Sequence, residues 1–586
     1  MKTETNTLLL CKDLSKLDSD IEYVSILPVE QDIKKKFKIK EVDFLTKTRN
    51  EILNDYEFCE QIYRKNLKKI LKYFNEIHTT NFNEQGIEII LGYWLKNYIY
   101  VSFKILNQIN YLIKSEKISH ALLTDYKNFC FIKENTQEFA EAHASDLSWY
   151  YAYFSKVLNY FEKDFLNNIK IKEFSETTLK PKKNAKKKIK LHENILYFLQ
   201  KNFRNPTSAF ISHTYLPFFQ EKKLELLFNQ IPSYYKSFPL QKSFPINFAL
   251  RKKYTKLIST EKKDFENFIN SNLFTFLPKS FLENFETNLK LSENKLLPQE
   301  PKFIFTSSLN FFDEVFKVYA AKQALKSKPI FIGQHGNNYF SRIHNNYLPE
   351  FSYATKFFSW GYESSNFKNV KGFFNFKTIK QSSYKKNRGK KLIIFCEYLS
   401  NATDNLLLMP SEISKSLTRI RLFLERINKE IKNNVILRLN ETFYKKIYGQ
   451  TFIKYLSDLG VEIDNGKKSA KKILNNAKLC IFNYDSTGLL ENSCNNIPSI
   501  MYLDKNYLNI INEEFIYKYI DLKSKKIIFH ETYSMIDHVN KIWADVDRWW
   551  FSQKVQNSLK DFNNNFNEKA DNKSLALIKS NIMKDL

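Results

Sequence analysis

Between residues 42 and 171 the apolar positions recur three and four apart, as in Cys59, Ile62, Tyr63, Leu67, Ile70, Leu71 and Phe74. That spacing lines one face of an amphipathic helix, so the front of the chain is predicted to be a bundle-like set of helices. Further on, short runs of β-branched and aromatic residues alternate with helical stretches, which is the pattern of βαβ units on a parallel sheet. The first set of predicted strands covers 208–212, 303–306, 329–332 and 356–360. A second set covers 392–396, 435–439, 461–463, 479–483 and 499–503, with a helix predicted over 411–432. Two lysine-rich breaks punctuate the pattern. The six Lys among residues 182–190 mark an exposed tether, and SSYKKNRGKK at 382–391 marks a hinge. The divisions predicted are a helical N-terminal region at 1–175, a Lys-rich linker at 176–195, a first Rossmann-like unit at 196–381, the hinge at 382–391, a second Rossmann-like unit at 392–545 and a C-terminal helical segment at 546–586 that packs back on the first unit. The fold class is α/β, with two parallel-sheet units facing a cleft. Open parallel sheets bind ligands beyond the carboxyl ends of their strands, so the chemistry is sought there.

Composition adjusts this picture. At 586 residues the chain has room for about three domains, and 43% hydrophobic content excludes wholesale disorder. The formal charge of +28, from 91 Lys and Arg against 63 Asp and Glu, first suggests a polyanion partner. Only 11 of those 91 cations are Arg, however, and nucleic-acid interfaces lean on Arg for forked and stacked contacts. No nucleic-acid partner is expected. A lysine excess in a chain also rich in Asn, Ile, Phe and Tyr matches the coding bias of an A+T-rich genome, and it is compatible with peripheral contact to an anionic inner membrane. Six Cys occur without a C-x-x-C pair, which fits a reducing, cytoplasmic compartment and indicates neither a disulfide framework nor a zinc site. The most apolar stretch, 87–106, is interrupted by Glu88, Lys96 and Lys104, so no bilayer-spanning segment is expected.

Three strand ends carry candidate chemistry. The predicted strand at 479–483 runs into Tyr484-Asp485-Ser486-Thr487-Gly488, after which a helix begins. Hydroxyls or a carboxylate there cap the helix, and its positive dipole end forms an anion site suited to phosphate. Glu491, one turn in, can reach ribose hydroxyls; the plainer alternative is a capped structural helix with a solvated Glu491. Phe331-Ile332-Gly333-Gln334-His335-Gly336-Asn337 places a titratable imidazole between two glycines, with Gln334, Gly336 and Asn337 lining the cleft. Thr306 to Glu314 is the third, where Asp313 or Glu314 serves either as base or nucleophile or simply as a helix-dipole partner. Arg438 and Asn440 leave the strand at 435–439 toward the same cleft, where Arg can fork onto a diphosphate or carboxylate. Glu397, after 392–396, is a further acid candidate. The Trp pair in Asp547-Arg548-Trp549-Trp550 reads as a packing anchor. Walker A, G-x-G-x-x-G, H-E-x-x-H and G-x-S-x-G sequences do not occur, so kinase, dinucleotide-oxidoreductase, zinc-protease and serine-hydrolase readings lose their support.

Taken in order, Leu91-Gly92-Tyr93-Trp94-Leu95, Gln334-His335-Gly336, Phe358-Ser359-Trp360-Gly361-Tyr362, Ser486-Thr487 with Glu491, Ile497-Pro498-Ser499-Ile500 and Asp547 to Trp550 resemble the transferases encoded in O-antigen and other surface-polysaccharide clusters. That family is similar to the GT-B capsule and Kdo glycosyltransferases, and the resemblance spans about residues 85–555. It implies a GT-B fold with an acceptor-side domain, a nucleotide-side domain and a C-terminal helix crossing back. It also implies that Ser486, Thr487 and Glu491 hold the nucleotide of a sugar donor, a CMP-linked, Kdo-like donor among the candidates, with His335 and Asp313 near the transferred sugar. The partners so implied are a nucleotide-sugar and a glycan or lipid-linked acceptor. Metal and other cofactors are not expected, because the helix end at Ser486 and Thr487 together with Arg438 can meet the departing phosphate. Two other classes stay open at this stage. A CDP-alcohol phosphotransferase would release CMP and leave a phosphodiester in its product. A non-catalytic nucleic-acid or membrane-surface binder would instead show steeply salt-dependent binding.

Overall fold

The computed structural model describes residues 6–586 apart from 28, 30, 43, 45, 46, 176–190, 239–243, 382–388, 397–410, 440–446 and 468. Residues 176–190 of the predicted linker, most of the hinge, Glu397 and Asn440 therefore lie outside the described residues, and the linker's last five residues, 191–195, open the helix Leu191–Phe203.

Three parallel sheets follow one another along the described chain. The first contains β1 (Asn6–Leu10), β2 (Tyr23–Ser25), β3 (Ile39–Glu41), β4 (Ile118–Thr124) and β5 (Lys170–Phe174), in the order β3-β2-β1-β4-β5. The front carries the helices expected of it, and this sheet is an addition to them. Long helices are present, Arg49–His78 with 30 residues and Glu84–Ser115 with 32, and they stand beside strands that the hydrophobic pattern hides. β2 and β3 are three residues each, and β5, KIKEF, exposes four of its five residues. Such strands show neither a long apolar run nor clean alternation.

The second sheet contains β6 (Phe210–Ile211), β7 (Ile304–Thr306), β8 (Ile330–Gly333), β9 (Lys356–Ser359) and β10 (Val370–Gly372), in the order β10-β9-β8-β7-β6. The third contains β11 (Lys391–Phe395), β12 (Val435–Arg438), β13 (Glu462–Asp464), β14 (Ala477–Phe482), β15 (Ser499–Tyr502) and β16 (Ile528–Phe529), in the order β13-β12-β11-β14-β15-β16. The strand pairs are parallel in both. The α/β architecture with two Rossmann-like units is thus present, and the third sheet reverses its strand order between β11 and β14. A crevice opens at the carboxyl ends of strands that diverge in this way. The helix predicted over 411–432 is divided into Ser411–Arg426 and Lys429–Lys432, because Asn428 between them takes an extended backbone (φ −53, ψ 141).

Both faces of the second sheet are covered, which is why its strands read as unbroken apolar runs. Ile304, Ile330, Ile332 and Phe357 pack into one core with the front helices. Phe303, Phe305, Phe331 and Phe358 join Ile578 and Ile582 of the last helix, Ser574–Lys584, in another. Each such side chain contributes about 1.5–3 kcal/mol by leaving water. Trp550 is fully buried, and its Nε1 donates to Asn496 Oδ1 at 2.8 Å, which fastens the C-terminal segment to the third unit. The helix Glu84–Ser115 passes the second unit closely at Gly92, where an added Cβ would lie 2.9 Å from Tyr63 Oη and 3.1 Å from Pro349 Cβ. Among the described residues no helix is long and apolar enough to cross a membrane.

Candidate active site

The loop after β8 is built from its own sequence. Gln334 N–H donates to Phe358 O at 2.8 Å, its Nε2 donates to Gly336 O at 2.8 Å, and its Oε1 accepts from Trp360 N at 2.9 Å. Gln334 is therefore a brace for the loop, although the sequence pattern places it in the cleft. Gly333 is needed for packing: a Cβ there would come within 2.5 Å of the Phe376 ring. Held in this way, His335 stands among aromatic rings, 4.5 Å from Phe311, 5.3 Å from Tyr339 and 5.6 Å from Tyr215 between centroids. Burial, and after it the positive charge of Lys377, lowers the imidazole to about 4, so His335 is neutral near pH 7. Its Nδ1 lies 2.8 Å from Tyr339 Oη, and among the described residues nothing hydrogen-bonds its Nε2.

The opposite wall comes from the end of β14. Ser486 caps the helix Thr487–Cys494, its hydroxyl accepting from Gly488 N at 3.0 Å. The first residue of that helix touches the β8 loop directly: Asn337 N–H donates to Thr487 Oγ1 at 2.9 Å, and Gly336 lies 3.5 Å from the same oxygen at its Cβ position. Asp485 does not cap the helix. Its buried carboxylate accepts from Asn337 Nδ2 and Tyr507 Oη, and Arg342 Nε stands 3.5 Å away. Asp485 thus staples the β8 loop to the third unit, and a carboxylate so engaged is a poor neighbour for phosphate.

Lys377 joins the two walls. It follows β10 on the 3-10 turn Phe376–Thr378, whose Phe376 ring is the one pressed against Gly333. Its Nζ lies 3.0 Å from Glu491 Oε1 and 5.1 Å from the centre of the Tyr215 ring, and about 29% of its side chain remains exposed. A cation with that freedom, at the N-terminal end of a helix and beside a neutral imidazole, can meet an anionic group that enters between the sheets. Next to Tyr215 a cavity of about 330 Å³ opens at the ends of β6 and β7, lined by His213, Tyr215, Phe218, Tyr234, Tyr235 and Ser308 among others. The loops bordering the site carry strained backbone, with His213 (φ 54), Tyr215 (φ 64), Asn338 (φ 75) and Phe340 (φ 61) all in the left-handed region. Such residues cluster where a site is held in place by its surroundings.

Of the residues singled out from sequence, the structure gathers His335, Gly336, Asn337, Ser486, Thr487, Gly488 and Glu491 at one place. Asp313 is the buried cap of the helix Glu314–Leu325; it accepts from Phe316 N at 2.9 Å and from Tyr235 Oη at 3.0 Å, behind the cavity wall. Glu314 accepts from Thr136 N at 2.8 Å and pairs with Lys317 at 3.1 Å, tying that helix to the front of the chain and taking no part in the cleft. Arg438 turns along its own sheet to Asp464 at 2.6 Å, because β13 lies beside β12 and offers a carboxylate. Lys377, and not Arg438, is the cation placed beside Glu491 and the β8 loop. Lys377, Tyr215, Tyr339 and Glu350, whose Oε1 accepts from Tyr339 Oη at 3.2 Å, were given no role by the sequence reading, since each reaches the site by tertiary packing and not from a predicted strand end. The run of aromatics and small polar residues after β8 was the one available signal for Tyr339.

Among the described residues no group of three or more His, Cys, Asp or Glu is placed to hold a metal ion. No curated protein matches the chain. Among solved structures it is similar to the wall teichoic acid polymerase TagF, 11% identical over 50% of this chain and 74% of that one, with a TM-score of 0.31. It is also similar to the spinosyn rhamnosyltransferase SpnG complexed with spinosyn aglycone, 10% identical over 57% and 82% with a TM-score of 0.29. A third is a UDP-forming α,α-trehalose-phosphate synthase from Burkholderia xenovorans, 11% identical over 55% and 79% with a TM-score of 0.30. The LIC12162 family transferase model matches residues 27–582, from just after β2 into the last helix and so across the second and third sheets and the site between them, and the chain belongs to that family of transferases.

Proposed function

We propose that this transferase moves a sugar from a nucleotide-sugar donor to a glycan or lipid-linked acceptor of a surface polysaccharide. One observation carries the reading: the β8 loop that holds the neutral His335 touches the first residue of the helix Thr487–Cys494 through Asn337, and Lys377 pairs with Glu491 of that helix while its charge acts on the imidazole. A donor diphosphate is the ligand that uses all three. Its negative charge suits the helix end and Lys377, and its anomeric carbon then lies on the His335 side, next to the cavity beyond Tyr215 that is sized for an acceptor sugar. In this reading His335 is the base that takes the proton of the acceptor hydroxyl, and the departing phosphate is met by Lys377 and the helix dipole without a metal. Chelation with EDTA is accordingly expected to leave turnover unchanged.

The donor reading is tested by a thermal-shift screen with CMP, CDP, UDP, GDP and dTDP. A ligand that binds only the folded state at about 100 times its Kd adds roughly 2.7 kcal/mol to stability. At least one of the five is expected to raise the melting temperature, with about half of that gain or less left in Lys377→Ala. No shift with any of them counts against a nucleotide donor.

A further inference from the structure

We propose that Glu350, acting through Tyr339, is a positioning residue that keeps the proton of His335 on Nδ1 and leaves Nε2 bare toward the cleft. The inference rests on the reading of His335 as the base of the transfer reaction.

Tyr339 Oη carries a single hydrogen and stands between two partners, His335 Nδ1 at 2.8 Å and Glu350 Oε1 at 3.2 Å. Glu350 is fully buried on the short helix Glu350–Tyr353, and its other oxygen accepts from Tyr93 Oη. An ionised carboxylate only accepts, so each tyrosine must give its hydrogen to Glu350. The Tyr339 oxygen is then left with lone pairs alone, and its contact with the imidazole is satisfied when Nδ1 is the protonated nitrogen. A neutral ring protonated at Nδ1 has its basic lone pair on Nε2. The reverse arrangement, with Tyr339 donating to Nδ1, would take one of its three hydrogen bonds from the buried carboxylate, leaving it Tyr93 and its own backbone N–H, which is the costlier outcome.

Other charged and titratable groups leave that logic intact. Lys96, from the helix Glu84–Ser115, acts on Glu350 in favour of its ionised form, while Tyr353 lies beside it on the same turn. Lys377 disfavours a positive imidazole, and Tyr215 faces the ring across 5.6 Å. The chain of contacts also gives the Leu91–Leu95 segment a purpose in the site. Tyr93 reaches Glu350 because Gly92 lets its helix approach Pro349. In a direct displacement the consequence is simple. The acceptor hydroxyl gives its proton to Nε2 as its oxygen bonds to the anomeric carbon, and the bond from that carbon to the donor phosphate breaks, its electron pair leaving on the phosphate.

The tautomer can be read directly on the ligand-free protein. Protein labelled with 15N-histidine is examined at about pH 8, where Glu350 is ionised, by long-range 1H–15N NMR, with His335→Gln identifying the signals. Wild type is expected to show Nδ1 protonated and Nε2 bare. Tyr339→Phe removes the acceptor and is expected to convert most of His335 to the Nε2–H form. In Glu350→Gln the amide offers one acceptor to two tyrosines, so a measurable Nε2–H fraction is expected there too. An Nε2–H signal in wild type, or an unchanged Nδ1–H signal in Tyr339→Phe, overturns the proposal; if Tyr339→Phe does not fold, an unchanged Glu350→Gln spectrum does the same. Nucleotide is absent throughout, so a wrong tautomer removes the relay while the donor screen stands, and a failed screen leaves the tautomer result untouched.

Discussion

His335 and Lys377 carry the chemistry proposed here, and they differ in how the fold holds them. Lys377 is partly exposed, and its pairing with Glu491 is a contact of the kind worth at most about 1 kcal/mol to folding. Its bond to a bound phosphate is charge-assisted and worth about 1.5–3 kcal/mol. Lys377→Ala is therefore expected to weaken nucleotide binding about tenfold or more, measured by calorimetric titration, with a nearly unchanged melting temperature. Glu350 behaves in the opposite way. Burial raises its carboxyl to about 7, against the pull of its hydrogen bonds from Tyr93 and Tyr339, whereas the unfolded chain titrates near 4.5. Between those values the folded state holds the extra proton, so this group's contribution to stability is fully present below about 4.5 and is lost as pH rises through about 7. The size of the effect is roughly 3 kcal/mol for a shift of that order. Melting temperatures of wild type and Glu350→Gln across that window are expected to diverge, the variant losing less on going to the alkaline side. Parallel curves would show that Glu350 is not the titrating group.

At the scale of elements, the close passage of the helix Glu84–Ser115 against Pro349 is the contact on which the His335 side of the site depends. Replacing a helical Gly usually adds up to about 1 kcal/mol of stability. At Gly92, overpacking against Tyr63 and Pro349 opposes that gain with about 1–3 kcal/mol. Gly92→Val brings a branched side chain into the same gap, and we expect a lowered melting temperature together with loss of transfer activity, because Pro349 precedes Glu350. A stabilised Gly92→Val would mean that the helix can move away without consequence. The elements also show what was legible in the sequence. The strands at 303–306, 329–332, 356–360, 392–396 and 499–503 were read to within a residue or two, because runs buried on both faces announce themselves. β10 and β16 were missed at three and two residues long, and the first sheet was missed because β3 and β5 carry Lys and Glu at exposed edges. The site was half legible. Strand-end motifs located His335, Ser486 and Thr487, while Lys377, Tyr339 and Glu350 are joined to them only by packing, which spacing along one chain does not encode.

For the molecule as a whole, the charge of +28 and the surface apolar residues belong together. The helix Leu191–Phe203 leaves Ile195, Phe198 and Phe203 52%, 58% and 59% exposed, and Phe219 on the next helix is 76% exposed. The sequence just before this helix carries the densest run of lysines. Apolar side chains beside basic ones suit peripheral contact with an anionic bilayer. Co-sedimentation with vesicles containing anionic lipid is expected, weakening as salt rises and reduced in Ile195→Asp/Phe198→Asp; equal binding to neutral vesicles would contradict it. The central claim is that a nucleotide binds where the second and third sheets meet, and hydrogen exchange with and without the nucleotides of the thermal screen tests it most directly. Protection confined to residues 334–340 and 484–492 is the expected result. Protection centred on the first sheet, or none at these two loops when binding is saturated, would contradict the account.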